Sequence, residues 1–76
     1  MYTVILDDNK EYTIIKELKI NEITYTLFSE IEDPTNICYR KIVRKNNEDF
    51  YERLKDEKEF NLVTMEFAKE LLEENK

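Results

Sequence analysis

Apolar and polar residues alternate through most of this chain, then change period near its C-terminal quarter. Residues 2–6 are β-branched and aromatic. In residues 12–20, Tyr12, Ile14, Leu18 and Ile20 share one parity, interrupted by Lys16. Thr13, Ile15, Glu17 and Lys19 hold the other, so the spacing predicts a strand with one apolar face. Residues 23–30 repeat the pattern: Ile23, Tyr25 and Leu27 oppose Thr24, Thr26 and Glu30, and Phe28 is the exception. Residues 37–44 mix charge into both parities. Ile37, Tyr39 and Val43 share a face with Lys41, and Cys38 and Ile42 share the other with Arg40 and Arg44. Mixed, charged faces suit an edge strand, and that is the expectation here. A short fifth strand is read over 50–54.

The breaks between these runs are Asp and Asn clusters: Asp7-Asp8-Asn9-Lys10, Asn21-Glu22, Glu32-Asp33-Pro34-Thr35-Asn36 and Lys45-Asn46-Asn47-Glu48-Asp49. Both residue types tolerate left-handed backbone and bond their own main chain, so they make turns. From residue 56 the period becomes helical, and a helix is predicted over 56–75. Asp56 is placed at the N-cap, with Glu59 three residues on completing a capping box. Phe60, Val63, Phe67, Ala68 and Leu71 form an apolar stripe, widened by Leu72, with Glu66, Lys69, Glu70 and Glu73 opposite. The fold class is therefore α+β: an antiparallel β-meander of four to five strands followed by one C-terminal amphipathic helix packed on the sheet. The chain reads as a single domain over 1–76.

Composition narrows the chemistry. The 76 residues include no Gly, no His, no Trp, one Pro and one Cys. Without Gly there is no Walker phosphate loop and no dinucleotide fingerprint. Without His there is no Ser-His-Asp or Cys-His catalysis and no common zinc site. One Cys closes no internal disulfide. No cofactor is expected. The absence of Gly also makes a local prediction: Asn9, Asn21, Asn46 and Asn47 should supply positive φ where a turn needs it.

Net charge is −6, with 39% charged residues and a pI near 4.7. That balance favours solubility and disfavours nucleic acid, whose phosphates need clustered Lys and Arg. The longest apolar runs are three residues, such as Val4-Ile5-Leu6, so no segment is expected to span a membrane. One Cys and no export signal in the opening residues point to the cytoplasm.

Three segments carry a family resemblance. They are Asp8-Asn9-Lys10-Glu11-Tyr12, Asn21-Glu22-Ile23-Thr24-Tyr25, and the run Phe50-Tyr51-Glu52-Arg53-Leu54-Lys55-Asp56-Glu57-Lys58-Glu59-Phe60. The first is similar to an Asp-Gly-x-Glu-aromatic turn, the second to a Gly-x-x-Tyr hairpin, the third to a Leu-x-Pro-Ile-x-Asp-x-x-Glu-aromatic segment. Together they resemble the YrzB-like family of small acidic bacterial proteins, a domain of unknown function (number 1292). The chain departs from that pattern in lacking its glycines and in carrying Arg53 where a Pro is common. The resemblance implies a bacterial cytoplasmic protein with no known activity, and it transfers no catalytic residue.

Candidate sites follow from the residues themselves. Glu30, Glu32 and Asp33 beside Pro34, and Asp7, Asp8 and Glu11, are carboxylate groups a hard cation could use, though turn chemistry explains both and no metal site is assigned. Arg40, Lys41, Arg44 and Lys45 stand out as a basic run beside Tyr39 in an acidic chain. A strand splits such a run between two faces. Tyr2, Tyr12, Tyr25, Tyr39 and Tyr51 suit sheet packing or an interface. Cys38 is read as a small apolar filler. Leu62 and Met65 flank the helical stripe. The candidate partner surface is thus Tyr39, Arg40, Lys41, Arg44, Leu62 and Met65, with no catalytic residue. The expected function is a non-enzymatic interaction or regulatory module whose partner is an unidentified protein, a second copy of the chain among the candidates. The alternative is an acidic mimic that occupies a nucleic-acid-binding protein. An enzyme built on paired carboxylates such as Glu11 and Glu17 is the third and least supported class.

Overall fold

In a computed structural model describing residues 3–74, five strands precede one helix. They are β1 (Thr3–Ile5), β2 (Glu11–Ile20), β3 (Ile23–Glu30), β4 (Ile37–Lys45), β5 (Glu48–Arg53) and α1 (Glu57–Glu74). Every strand pairs antiparallel with its sequence neighbour, in the order β1-β2-β3-β4-β5. The α+β meander expected from the pattern is the fold. Tyr2 and Asn75, assigned above to the first strand and the helix, lie outside the described residues.

The turns run on Asn in place of Gly. Asn21 and Glu22 (φ 51° and 70°) join β2 to β3, and Asn46 and Asn47 (φ 51° and 66°) join β4 to β5. Two consecutive left-handed residues give the twist that a two-residue hairpin requires. Asn9 (φ 63°) turns the β1–β2 loop, where its N–H donates to the Leu6 carbonyl at 3.0 Å. All four predicted asparagines are therefore left-handed. Glu22 was not foreseen, and it is the costliest, because its Cβ crowds the carbonyl without an Asx side chain to compensate. We expect Glu22→Gly to stabilise the fold by about 0.5–1 kcal/mol, the steric gain being partly offset by glycine's entropy. A melting temperature unchanged or lowered by that substitution would refute the strain argument.

Two sequence expectations are corrected by the register. First, β4 is not an edge strand over most of its length. It lies between β3 and β5, which pairs with it from Arg40↔Arg53 to Lys45↔Glu48. Its charges are matched by neighbours: Arg40 by Asp7, Lys41 by Glu59, Arg44 by Asp49 and Lys45 by Glu52. Second, the apolar parity of β2 does not form one face. The pairing shifts between Ile14↔Phe28 and Lys16↔Leu27, leaving Ile15 as an extra residue. A bulge of this kind exchanges the faces. Tyr12 and Ile14 therefore share a face with Phe28, whereas Leu18 and Ile20 join Tyr25 and Ile23 on the other.

The sheet consequently has two cores. Tyr25 and Leu27 meet Val63 and Phe67 of α1, with Leu18, Ile20, Tyr39, Leu54 and Leu71 around them. On the opposite face Leu6, Tyr12 and Phe28 cluster with Val4, Ile14 and Cys38. Phe28, which broke the period in the sequence, is the centre of that second core.

The helix begins as expected and packs more narrowly than expected. Asp56 Oδ1 accepts the Lys58 N–H at 3.0 Å, which makes Asp56 the N-cap. Glu59 does not close a capping box. Its carboxylate instead accepts the Tyr25 hydroxyl at 2.6 Å and lies 3.4 Å from Lys41 Nζ. Val63 and Phe67 are fully buried and Leu71 half-buried, but Ala68, Leu72 and, at its margin, Phe60 are exposed. At about 100° per residue, Ala68 lies about 100° round from Phe67 and Leu72 about 140° round, beyond the reach of the sheet. Glu59 falls on the core side by the same arithmetic, which is why it reaches Tyr25.

A candidate functional site at the start of β4

β5 is shorter than the strand it pairs with. The β4–β5 pairing ends at Arg40↔Arg53, while β4 continues to Ile37 with β3 on its other side. The chain leaves β5 through Leu54 to enter the helix. A groove of about 550 Å³ opens where β5 stops, floored by Ile37, Cys38 and Tyr39. Leu54, Phe60 and Thr64 form its apolar wall, and Asp8, Tyr12, Arg40 and Arg53 its polar wall.

Each wall has a physical origin. Tyr39 faces the helix, its ring 5.8 Å from Phe60 at 77° and 5.3 Å from Phe67. The polar wall comes from the curl of the sheet. Arg53 Nε donates to Asp7 at 2.7 Å, and Arg40 Nη2 to the same carboxylate at 3.4 Å. These contacts bring the β1–β2 turn against β4 and β5. Arg40 also donates to the Tyr39 carbonyl at 2.9 Å. Asp8 accepts the Tyr12 hydroxyl at 2.6 Å.

Neighbours shift four ionisable groups in and beside the groove. The Tyr12 hydroxyl and the Lys10 N–H keep the Asp8 carboxyl below its usual range, and Arg53, then Arg40, do the same for Asp7. Asp8 in turn pushes the Tyr12 phenol up to about 12, with burial adding to the effect. Burial raises the Cys38 thiol, against the smaller opposing pull of Arg40, so at neutral pH it stays protonated and a poor nucleophile. Such a groove offers fixed hydrogen-bonding groups and apolar contact.

The structure separates the six residues singled out in the sequence. Tyr39 and Lys41 face the helix, and Arg40 and Arg44 the opposite side, as strand alternation requires. Tyr39 and Arg40 line the groove. Lys41 is drawn to Glu59 under the helix, and Arg44 is exposed beside Asp49 at 3.9 Å. Leu62 is half-buried and Met65 exposed on α1, neither in the groove. Asp8, Tyr12, Arg53, Phe60 and Thr64 also line the groove and lie outside the partner surface expected from the sequence. They lie on three different elements and one connection, and only the bulge and the early end of β5 bring them together.

The carboxylate groups also take structural posts. Glu30 is buried and accepts the Asn36 side-chain amide at 2.8 Å. Asp33 caps the Pro34 turn through the N–H and hydroxyl of Thr35. Glu11 bonds Thr3, and Glu17 bonds Thr26 at 3.3 Å on the far side of the bulge. Among the described residues no group of three or more His, Cys, Asp or Glu gathers as metal ligands. No described helix is long and apolar enough to cross a membrane. Comparison with family models, curated proteins and solved structures finds no match to this chain.

Proposed function

We propose that this chain is a non-enzymatic protein-interaction module of the bacterial cytoplasm that takes an extended segment of a partner protein into the groove at the start of β4. One observation carries the reading: β4 runs on past the end of its pairing with β5, inside a groove with one apolar and one polar wall. The Glu30 N–H donates to the Asn36 carbonyl at 3.0 Å, so even-numbered residues of β4 turn their backbone groups towards β3. The backbone groups of Ile37 therefore turn the other way, towards the groove. A strand added there would take main-chain hydrogen bonds from the edge and side-chain specificity from the walls. The net charge of −6 biases encounter towards basic partners. The likeness to the YrzB-like family agrees with a bacterial cytoplasmic setting. An acidic mimic draws less support, because Glu59, Glu30 and Glu52 are each engaged by a lysine of the same chain.

Selection from a displayed library of random peptides tests the reading. Enriched peptides should alternate apolar residues with basic ones and should shift the amide resonances of Ile37–Tyr39. Ile37→Pro removes the outward N–H and leaves the β3 ladder intact. It should weaken those peptides about tenfold, as the loss of one or two hydrogen bonds implies. No enrichment, or peptides that bind the Pro variant equally well, would overturn the proposal.

A further inference from the structure

The groove contains a carboxylate whose charge the chain itself does not meet. Asp8 is exposed on the β1–β2 turn and lines the groove. Its Oδ2 accepts the Tyr12 hydroxyl at 2.6 Å and its Oδ1 the Lys10 backbone N–H at 3.0 Å. Both donors are neutral, and an ionised carboxylate has further lone pairs to offer. The same two bonds keep the Asp8 carboxyl below its usual range, so it is ionised at neutral pH. The nearby cations are committed elsewhere: Arg53 and Arg40 go to Asp7 at 2.7 and 3.4 Å, and Lys10 Nζ lies 3.8 Å from Glu30. Among the described residues Asp8 has no ion-pair partner.

Strand geometry fixes the position at which that charge is read. Cys38 turns its side chain to the face of Leu6, Tyr12 and Phe28, whereas Tyr39 turns to the helix. Residues opposite one another in a ladder point to the same face. An antiparallel segment seated along Ile37 and Cys38 therefore sends the side chain opposite Cys38 towards Tyr12 and Asp8. Ile37 turns its backbone groups to the segment, so Cys38 is the non-hydrogen-bonded position, where facing side chains come closer. The segment's side chains before and after that position point to the helix side of the groove, where Phe60 and Thr64 lie. An acidic residue opposite Cys38 would meet Asp8 with both arginines already bound to Asp7.

We propose that Asp8 selects a lysine or arginine in the bound segment, at the position opposite Cys38 and between two apolar residues. This rests on the groove taking an extended segment of a partner protein. The net charge of −6 draws basic partners to the surface as a whole. Asp8 turns that general attraction into a preference at one position, and the alternation of the strand sets apolar residues on either side of it.

Capped peptides of sequence Thr-Thr-Val-X-Val-Thr-Thr, with X as Lys, Gln or Glu, are titrated into the chain while the amide resonances of Ile37–Tyr39 are followed. At low ionic strength the Lys peptide should bind about threefold to tenfold tighter than the Gln peptide, and the Glu peptide should bind weakest. Added salt should shrink the Lys advantage, because the pair is partly exposed. Asp8→Asn should abolish that advantage and leave the affinity of the Gln peptide unchanged, which establishes that the groove of the variant is intact. Equal binding whatever X is, a Lys preference that survives Asp8→Asn, or an equal loss of every peptide in that variant would overturn the role of Asp8 and leave the groove standing as a segment site. Peptides that leave Ile37–Tyr39 unshifted would overturn both.

Discussion

Phe67→Ala should bring the protein close to unfolding at ordinary temperature. Phe67 is fully buried in the core between α1 and the sheet, clustered with Val63, Tyr25 and Leu27, its ring 5.3 Å from that of Tyr39 and tilted 38° to it. Truncating a buried phenylalanine costs about 3–5 kcal/mol, the lost transfer energy plus the cavity left behind. A chain of 76 residues has a total stability of only about 4–11 kcal/mol. Each kcal/mol moves the midpoint of a domain this size by about 4–8 °C, so a drop of at least 12 °C is expected. Thermal melting followed by circular dichroism measures it. A midpoint within a few degrees of wild type would mean that α1 does not rest on the sheet through this residue.

A similar loss is expected from Phe28→Ala, on the face that the helix never touches. Phe28 is fully buried, with edge-to-face contacts to Tyr12 at 6.2 Å and Tyr51 at 5.1 Å. Each aromatic pair adds about 0.5–1.5 kcal/mol beyond area burial. The truncation should therefore cost about 3–5 kcal/mol, towards the upper end. Its local signature differs from that of Phe67. Tyr12 follows the β1–β2 turn and Tyr51 lies on β5, so Phe28 ties the two ends of the curled sheet together. Amide exchange should accelerate most in β1, β5 and the Asp7–Asp8 turn. Uniform acceleration through α1 and β3, with β1 and β5 spared, would contradict the existence of a second core.

Much of the architecture was legible because local rules act at short range. The alternation in residues 23–30 and the Asn pairs at the hairpins required only strand parity and the left-handed tolerance of Asn. Asp56 was identifiable as a cap from its position before a helical period. The groove was not legible in the same way. Arg40 stood out by its charge and Tyr39 by its ring. Asp8, Tyr12, Arg53 and Phe60 enter only once register is known. Phe28 looked like a fault in the pattern because alternation assumes one buried face, and this sheet buries both.

The absence of Gly, the Asn-rich turns and the change from period two to period 3.6 determine the meander, its hairpins and the terminal helix by themselves. Each follows from the conformational preference of a few adjacent residues. Tertiary structure alone decided which residues meet. The extra residue at Ile15 exchanges the faces of β2, the early end of β5 opens the start of β4, and the Asp7–Arg53 contact draws the two ends of the sheet together. Those outcomes depend on pairing register and curl, which balance many weak contacts between distant segments. No window of the sequence contains that balance.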